Sequence, residues 1–256
     1  RTAALLPASM PSILHRLHLL VLLLAFTTTT AQQYIFKAQY DSLDTRHDVS
    51  RSLLERYFIT SNHHWACFNR GLGADARKTA KEELELAEQL GVDSLLSTAS
   101  MHIGDSFNGS ADAALQLKYF YQGLEYAKRS GSPDEIGTAH KQIATVYKSL
   151  GDLPRALELL KEAIATVRSR QQINRTSCHL SDCFRLMGQP DSALYWAQRS
   201  NIIPRPEDDD YGYARSYYML GAAYAANGER QLAEVHFARA IEVADAFHLM
   251  IPLYGS

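Results

Sequence analysis

The chain has 256 residues, of which 46% are hydrophobic and 21% charged, and its formal net charge is −2. So many apolar residues exclude a disordered chain, and the near-neutral charge provides no basic field that would bind nucleic acid. The chain has three cysteines, Cys67, Cys178 and Cys183, which are too few for a disulfide framework and odd in number. We therefore expect a folded chain of one or two domains, or one extended array, without a nucleic-acid partner in this segment.

The N-terminal segment has the three regions of a secretory signal peptide. A positively charged region precedes an unbroken apolar run at residues 19–26, and small residues as far as Ala31 follow it. The run is much shorter than the roughly 20 residues that span a bilayer. The order of the three regions disfavours the alternative, a buried N-terminal helix. We expect an exported, periplasmic or envelope protein, divided into an upstream or mis-started segment (1–9), a signal peptide cleaved after Ala31 (10–31), a lead-in (32–50) and a repeat array (51–256).

The array repeats one pattern about every 40 residues. Its two clearest copies share the spacing Tyr-x3-Gly-x4-Ala, followed by a large apolar residue and a second Ala; they are Tyr147, Gly151, Ala156, Leu160 and Ala163, and Tyr224, Gly228, Ala233, Phe237 and Ala240. A weaker copy contains Phe184, Gly188 and Ala193, and a more degenerate one contains Phe107, Phe120 and Gly123. The pattern places units near 57, 97, 137, 174 and 214.

Each unit is predicted to contain two helices. Apolar residues in 139–150 recur at the spacing of one helical face. Gly151 and Asp152 then end the helix, since Gly has a permissive backbone and Asp accepts from the free N–H groups of the next helix. Pro154 suits the first turn, where its missing N–H costs nothing. Such a hairpin buries its apolar face only against neighbouring hairpins, so we predict an all-α, right-handed α-solenoid of stacked helix-turn-helix repeats.

The residues Leu220-Gly221-x2-Tyr224-x3-Gly228-x4-Ala233-x3-Phe237-x2-Ala240 resemble the tetratricopeptide repeat family. The period of 37 to 40, against the family's 34, resembles a longer-helix variant found in bacterial signalling proteins. The family's Trp at position four is replaced by His140 and Tyr217, and its Pro after the second helix is missing. The resemblance implies a scaffold that binds protein or peptide, and a homodimer is a further possible partner.

No catalytic, phosphate-binding or metal motif is present in the sequence. His63 and Cys67, with His64 beside them, could face one ion from one helix, but no third ligand is evident. Cys178 and Cys183 would be about 8 Å apart on a helix, too far for a disulfide. The acidic run at 207–210 suits a helix N-terminus. We therefore expect no metal and no cofactor in this segment, and leave open whether a longer parent protein is an enzyme.

In the tetratricopeptide family, positions 2, 5, 9 and 12 of each first helix line a ligand groove. Transferred residue by residue, the resemblance implies a groove of Thr138, Lys141, Thr145, Lys148, Arg175, Cys178, Asp182, Arg185, Arg215, Tyr218, Ala222 and Ala225. Five of these twelve are basic, which favours an acidic peptide or a terminal carboxylate. A solvated face that binds no ligand is the alternative.

A signal peptide followed by such repeats resembles the N-terminal region of envelope sensor histidine kinases. One more 40-residue spacing would start a unit near 254, so we expect the C-terminus to be truncated, and a membrane contact only through a missing downstream helix. The alternatives are a secreted or periplasmic repeat scaffold and a membrane-anchored transcription regulator.

Overall fold

The computed structural model describes residues 52–108, 112–202 and 210–246. The segments 1–9, 10–31 and 32–50 and most of the acidic run at 207–210 lie outside these residues. Contacts divide the chain into two compact units, 1–59 and 60–256. The described part of the first unit is the start of one helix, and the second unit contains the helical array.

The described residues form ten α-helices and no strand, which confirms the predicted all-α class. The helices, grouped as successive pairs, are α1 Leu53–Asn69 and α2 Gly73–Leu90; α3 Asp93–Asp105 and α4 Ala113–Ser130; α5 Pro133–Ser149 and α6 Leu153–Thr166; α7 Arg170–Leu186 and α8 Pro190–Ile202; α9 Asp210–Ala226 and α10 Arg230–Ala246. The first helix of each pair begins four residues before the unit start expected from sequence. No helix in the described part combines the length and apolar character that crossing a bilayer requires.

The turn between α5 and α6 forms by the chemistry that the sequence predicts. Gly151 adopts φ of 82°, a left-handed conformation that costs other residues energy. The Asp152 N–H then donates to the Tyr147 carbonyl at 2.9 Å. The Asp152 side chain accepts from the Arg155 N–H at 3.1 Å, which caps α6, and Pro154 lies in its first turn.

The eighth position of each unit, counted from 57, 97, 137, 174 and 214, lies buried on the first helix of its pair, and in four of the units it contacts the second helix. This position is occupied by His64, Gly104, Ala144, Ser181 and Gly221, all of them buried. A Cβ added to Gly221 would lie 2.6 Å from the Phe237 ring, and one added to Gly104 would overlap the Phe120 ring in the same way. Both aromatic residues occupy position 24 on the second helix, so glycine at position eight makes room for a large ring there.

Residue sizes at these two positions are complementary through the rest of the array. Where position eight is Ala144, position 24 is Leu160, and both belong to the main core cluster. Where position eight is the larger Ser181 or His64, position 24 is alanine. Since interiors are packed at near-crystalline density, a small residue at one of the two positions leaves room for a larger one at the other.

Gly221→Ala tests this steric constraint. We expect a loss of about 1–3 kcal/mol in the free energy of unfolding, because the new methyl group overlaps the Phe237 ring and a packed aromatic side chain cannot move away freely. Combining it with Phe237→Leu should recover part of that loss. Urea denaturation followed by circular dichroism measures both variants.

Gly73→Ala is the matched control, because its added Cβ would lie 3.9 Å from the nearest atom, the Ser106 carbonyl oxygen. This variant should be as stable as the parent or slightly more so, since Ala favours a helix. Equal destabilisation by Gly221→Ala and Gly73→Ala would contradict the steric explanation.

Candidate functional site: the inner face of the first helices

The inner face is the side on which first helices of successive pairs touch one another. Helix α3 packs on α5, α5 on α7, and α7 on α9, whereas successive second helices make no comparable contact in the described residues. Side chains on the first helices of three successive units can therefore lie side by side on this face. The transferred groove positions lie on α5, α7 and α9.

These positions differ in exposure. Arg185 is exposed, and Lys141 and Cys178 are buried; the partly buried positions are Thr138, Thr145, Lys148, Arg175, Asp182, Arg215 and Tyr218. The Lys141 Nζ donates to the Gln172 Oε1 at 3.1 Å, so this lysine joins α5 to α7. The Tyr218 ring lies 5.6 Å from the Phe237 ring and packs with the core of the last pair.

Asp182 forms ion pairs with two of the cations, Lys148 and Arg185. Its Oδ2 pairs with the Lys148 Nζ across α5 and α7, and its Oδ1 accepts from the Arg185 Nη2 at 2.8 Å. Burial by itself raises the pKa of the Asp182 carboxyl, but the two cations outweigh it and hold that pKa below its ordinary value. Asp182 is therefore ionised at neutral pH, with both oxygens occupied.

Four inner-face cations, Lys148 among them, act electrostatically on His179, one turn earlier on α7. This imidazole is buried, and its Nδ1 lies 3.4 Å from the Thr145 Oγ1. Burial, and then the positive charges near it, hold the His179 pKa well below its ordinary value. The charges responsible belong to Arg215, Lys148, Lys141 and Arg175. His179 is therefore neutral at physiological pH. The four cations that act on it come from three helices, and these four side chains define the cation cluster.

Polar contacts between successive first helices extend beyond this cluster. The Gln142 Nε2 donates to the Asp105 Oδ1 at 2.7 Å, which joins α5 to α3. The sequence reasoning missed Asp105, Gln142 and His179. Asp105 shares position nine with Thr145 and Asp182, so extending the groove positions to the unit near 97 would have found it.

A buried histidine pair occupies the neighbouring part of the array. The His64 and His102 rings stack with centroids 4.5 Å apart, and the His102 Nδ1 lies 2.8 Å from the Glu83 Oε2. The His64 Nδ1 lies 2.8 Å from the Ala76 carbonyl oxygen. The Nδ1 atoms of the two histidines therefore have different partners. No group of three His, Cys, Asp or Glu residues in the described ranges could hold a metal ion, and none of the three cysteines is in a disulfide.

His64 of this pair and the nearby Asp105 have pKa values that are shifted in opposite directions. Burial, and then the neighbouring His102, lower the pKa of His64 to about 4. Burial raises the pKa of Asp105 to about 6, against the opposing effects of His102 and Lys141. Between about pH 4 and 6 the folded chain binds fewer protons at His64 than the unfolded chain, and more at Asp105. Stability therefore rises with pH through His64 and falls with pH through Asp105, so the two contributions offset each other.

Asp105→Asn should remove the contribution of Asp105 to the pH dependence of stability. The variant should be more stable than the parent at pH 7, by at most ~3 kcal/mol, because the parent there keeps a buried carboxylate ionised. The gain should vanish near pH 4, so the stability of the variant falls more steeply on acidification. Urea midpoints between pH 4 and 8 measure this. Asp93→Asn, which removes a surface pair with Arg129, is the control, and an equal gain there would contradict the prediction.

Comparison with known proteins identifies the repeats. Residues 142–169 and 214–247 each match a tetratricopeptide repeat model. Tetratricopeptide repeat protein 29 of Trypanosoma brucei brucei is 26% identical over 121 residues, which are 46% of this chain and 25% of that protein. The chain thus matches about a quarter of the length of this relative.

Solved structures share the fold at low identity. BtubC (BKLC) from P. vanneervenii has a TM-score of 0.63 and 19% identity, over 86% of this chain and 95% of that one. A Rap protein complexed with Competence and Sporulation Factor has a TM-score of 0.62 and 15% identity, over 86% and 68% of the two chains. The chain is therefore an all-helical, tetratricopeptide-like solenoid that carries detectable tetratricopeptide repeats.

Proposed function

We propose that this solenoid binds a protein or peptide on its inner face, and that the segment it binds is acidic. The observation that carries the proposal is that Lys148, Arg175 and Arg215, with the buried Lys141, all act on the one buried imidazole of His179. The chain as a whole has a net charge of −2, so this concentration of positive charge is local.

Electrostatics explains why such a face suits a ligand with carboxylates. Partly buried charges interact in a medium less polarisable than water, so each attraction is stronger than on an open surface. Guanidinium groups such as those of Arg175 and Arg215 can hold a carboxylate through two parallel N–H donors. Because His179 is held neutral, it adds no positive charge to the cluster.

The fold supports docking rather than catalysis in this segment. Rigid helical pairs present the cations from a preformed surface, which lowers the entropy cost of ordering that surface on binding. The Rap structure that shares the fold holds a second molecule, Competence and Sporulation Factor. For the present chain we propose the same general activity, binding, with a ligand defined by charge.

We further propose that the chain is exported and forms the sensory or interaction region of an envelope signalling protein, such as a sensor histidine kinase. The signal-peptide pattern of residues 10–31 supports export. Recovery of mature protein starting at Gln32 from the periplasm would support it, and retention of residues 10–31 on protein confined to the cytoplasm would overturn it. The downstream coding sequence separates the kinase from the scaffold and the transcription regulator.

Arg175→Gln combined with Arg215→Gln tests the acidic ligand. Fluorescein-labelled decaglutamate is the probe, and we expect its binding to weaken at least tenfold, because both guanidinium groups leave the cluster. Fluorescence anisotropy at about 50 and 300 mM NaCl measures this, and the parent's affinity should fall with salt, since screening acts on exposed charges.

The matched control is Arg155→Gln combined with Arg230→Gln, two exposed arginines that pair with glutamates on their own helices. This variant changes the net charge equally and should bind decaglutamate as the parent does. Equal losses in the two double variants, or no binding by the parent, would overturn the acidic inner-face proposal.

A further inference from the structure

Asp182 places a carboxylate of the protein where an acidic ligand would dock. Its side chain is 14% exposed, and that of its partner Lys148 is 17% exposed. Arg185 approaches from the solvent side, with 38% exposed. The carboxylate is therefore near the surface and bound on both oxygens, which is the state expected of a bound ligand carboxylate.

The same carboxylate lies within reach of the cation cluster. Asp182 and His179 are three residues apart on α7, so they occupy one face of that helix. Lys148 contributes to both, because it pairs with Asp182 and also opposes protonation of His179. An incoming carboxylate that contacts Lys148 must compete with Asp182 for it.

We infer that Asp182 is an internal competitor that makes the inner face selective for segments with several carboxylates. This inference rests on the proposed function, since it concerns the same site. A ligand with one carboxylate would replace one charge-assisted pair with another, so the number of such bonds is unchanged and little affinity is gained. A ligand with several carboxylates reaches Arg215 as well, and gains a contact that Asp182 does not make.

Asp182 therefore sets specificity from within the protein. While it is ionised, it repels a single carboxylate that approaches Lys148 and keeps that lysine occupied. Removal of its charge leaves Lys148 and Arg185 available to the ligand and removes one like-charge repulsion, so binding should become both tighter and less selective.

Two variants remove the charge of Asp182 and keep a side chain of similar size. Asp182→Asn preserves the volume, and Asp182→Thr introduces the residue that position nine carries in the preceding unit, Thr145. Asp93→Asn is the matched control, because its carboxylate pairs with Arg129 at 2.7 Å away from α5, α7 and α9. Thermal melts by circular dichroism confirm that each variant is folded before binding is measured.

The probes are fluorescein-labelled decaglutamate and a ten-residue Gly-Ser peptide with one central glutamate. We expect Asp182→Asn and Asp182→Thr to tighten decaglutamate binding about five- to tenfold, and to give the single-glutamate peptide measurable affinity that the parent lacks. Asp93→Asn should match the parent with both probes.

Unchanged or weaker decaglutamate binding by both Asp182 variants, with the parent still binding and still sensitive to loss of Arg175 and Arg215, would overturn the competitor and leave the proposed function intact. Failure of the parent and of every Asp182 variant to bind decaglutamate would overturn both. The two failures are therefore distinguishable in one set of titrations.

Discussion

The close approach of two helices at position eight is the constraint on which the rest of the array depends. Gly221 leaves space for the Phe237 ring, Gly104 leaves it for Phe120, and elsewhere the partner at position 24 becomes smaller as position eight becomes larger. Size is thus exchanged between the two positions, and no pair has a large residue at both. Because packed interiors tolerate neither overlap nor voids, this exchange holds each hairpin in one geometry while its sequence varies.

That geometry determines where chemistry can accumulate. The first helices of successive pairs meet one another along the inner face, so side chains about one repeat apart in sequence become neighbours. Lys148 on α5 can then reach Asp182 on α7, and Gln142 can reach Asp105 on α3. The polar contacts that join successive pairs and the cations proposed to bind a ligand are therefore parts of one surface, and Asp182 belongs to both.

Where position eight is polar, its side chain packs against the second helix and also pairs with a carbonyl oxygen of that helix. The Ser181 Oγ donates to the Ala193 carbonyl oxygen at 2.8 Å, and the His64 Nδ1 lies 2.8 Å from that of Ala76, two alanines at the same position of their units. A buried polar group needs such a partner, since leaving it unsatisfied is costly. In the unit near 57, His64 at position eight stacks on His102. The pKa values of this buried imidazole and of Asp105 are shifted in opposite directions, so their contributions to the pH dependence of stability offset each other.

Sequence by itself determined the helical class, the 37- to 40-residue period and the turn chemistry at Gly151 and Asp152, because spacing, backbone freedom and capping are local properties of the chain. It also placed Lys148, Arg175 and Asp182 on the face that first helices share. It did not find that Lys141 is buried and bonded to Gln172, or that four cations act on a buried His179. Those facts depend on the offset between successive hairpins, which long-range packing fixes and which no short stretch of sequence encodes.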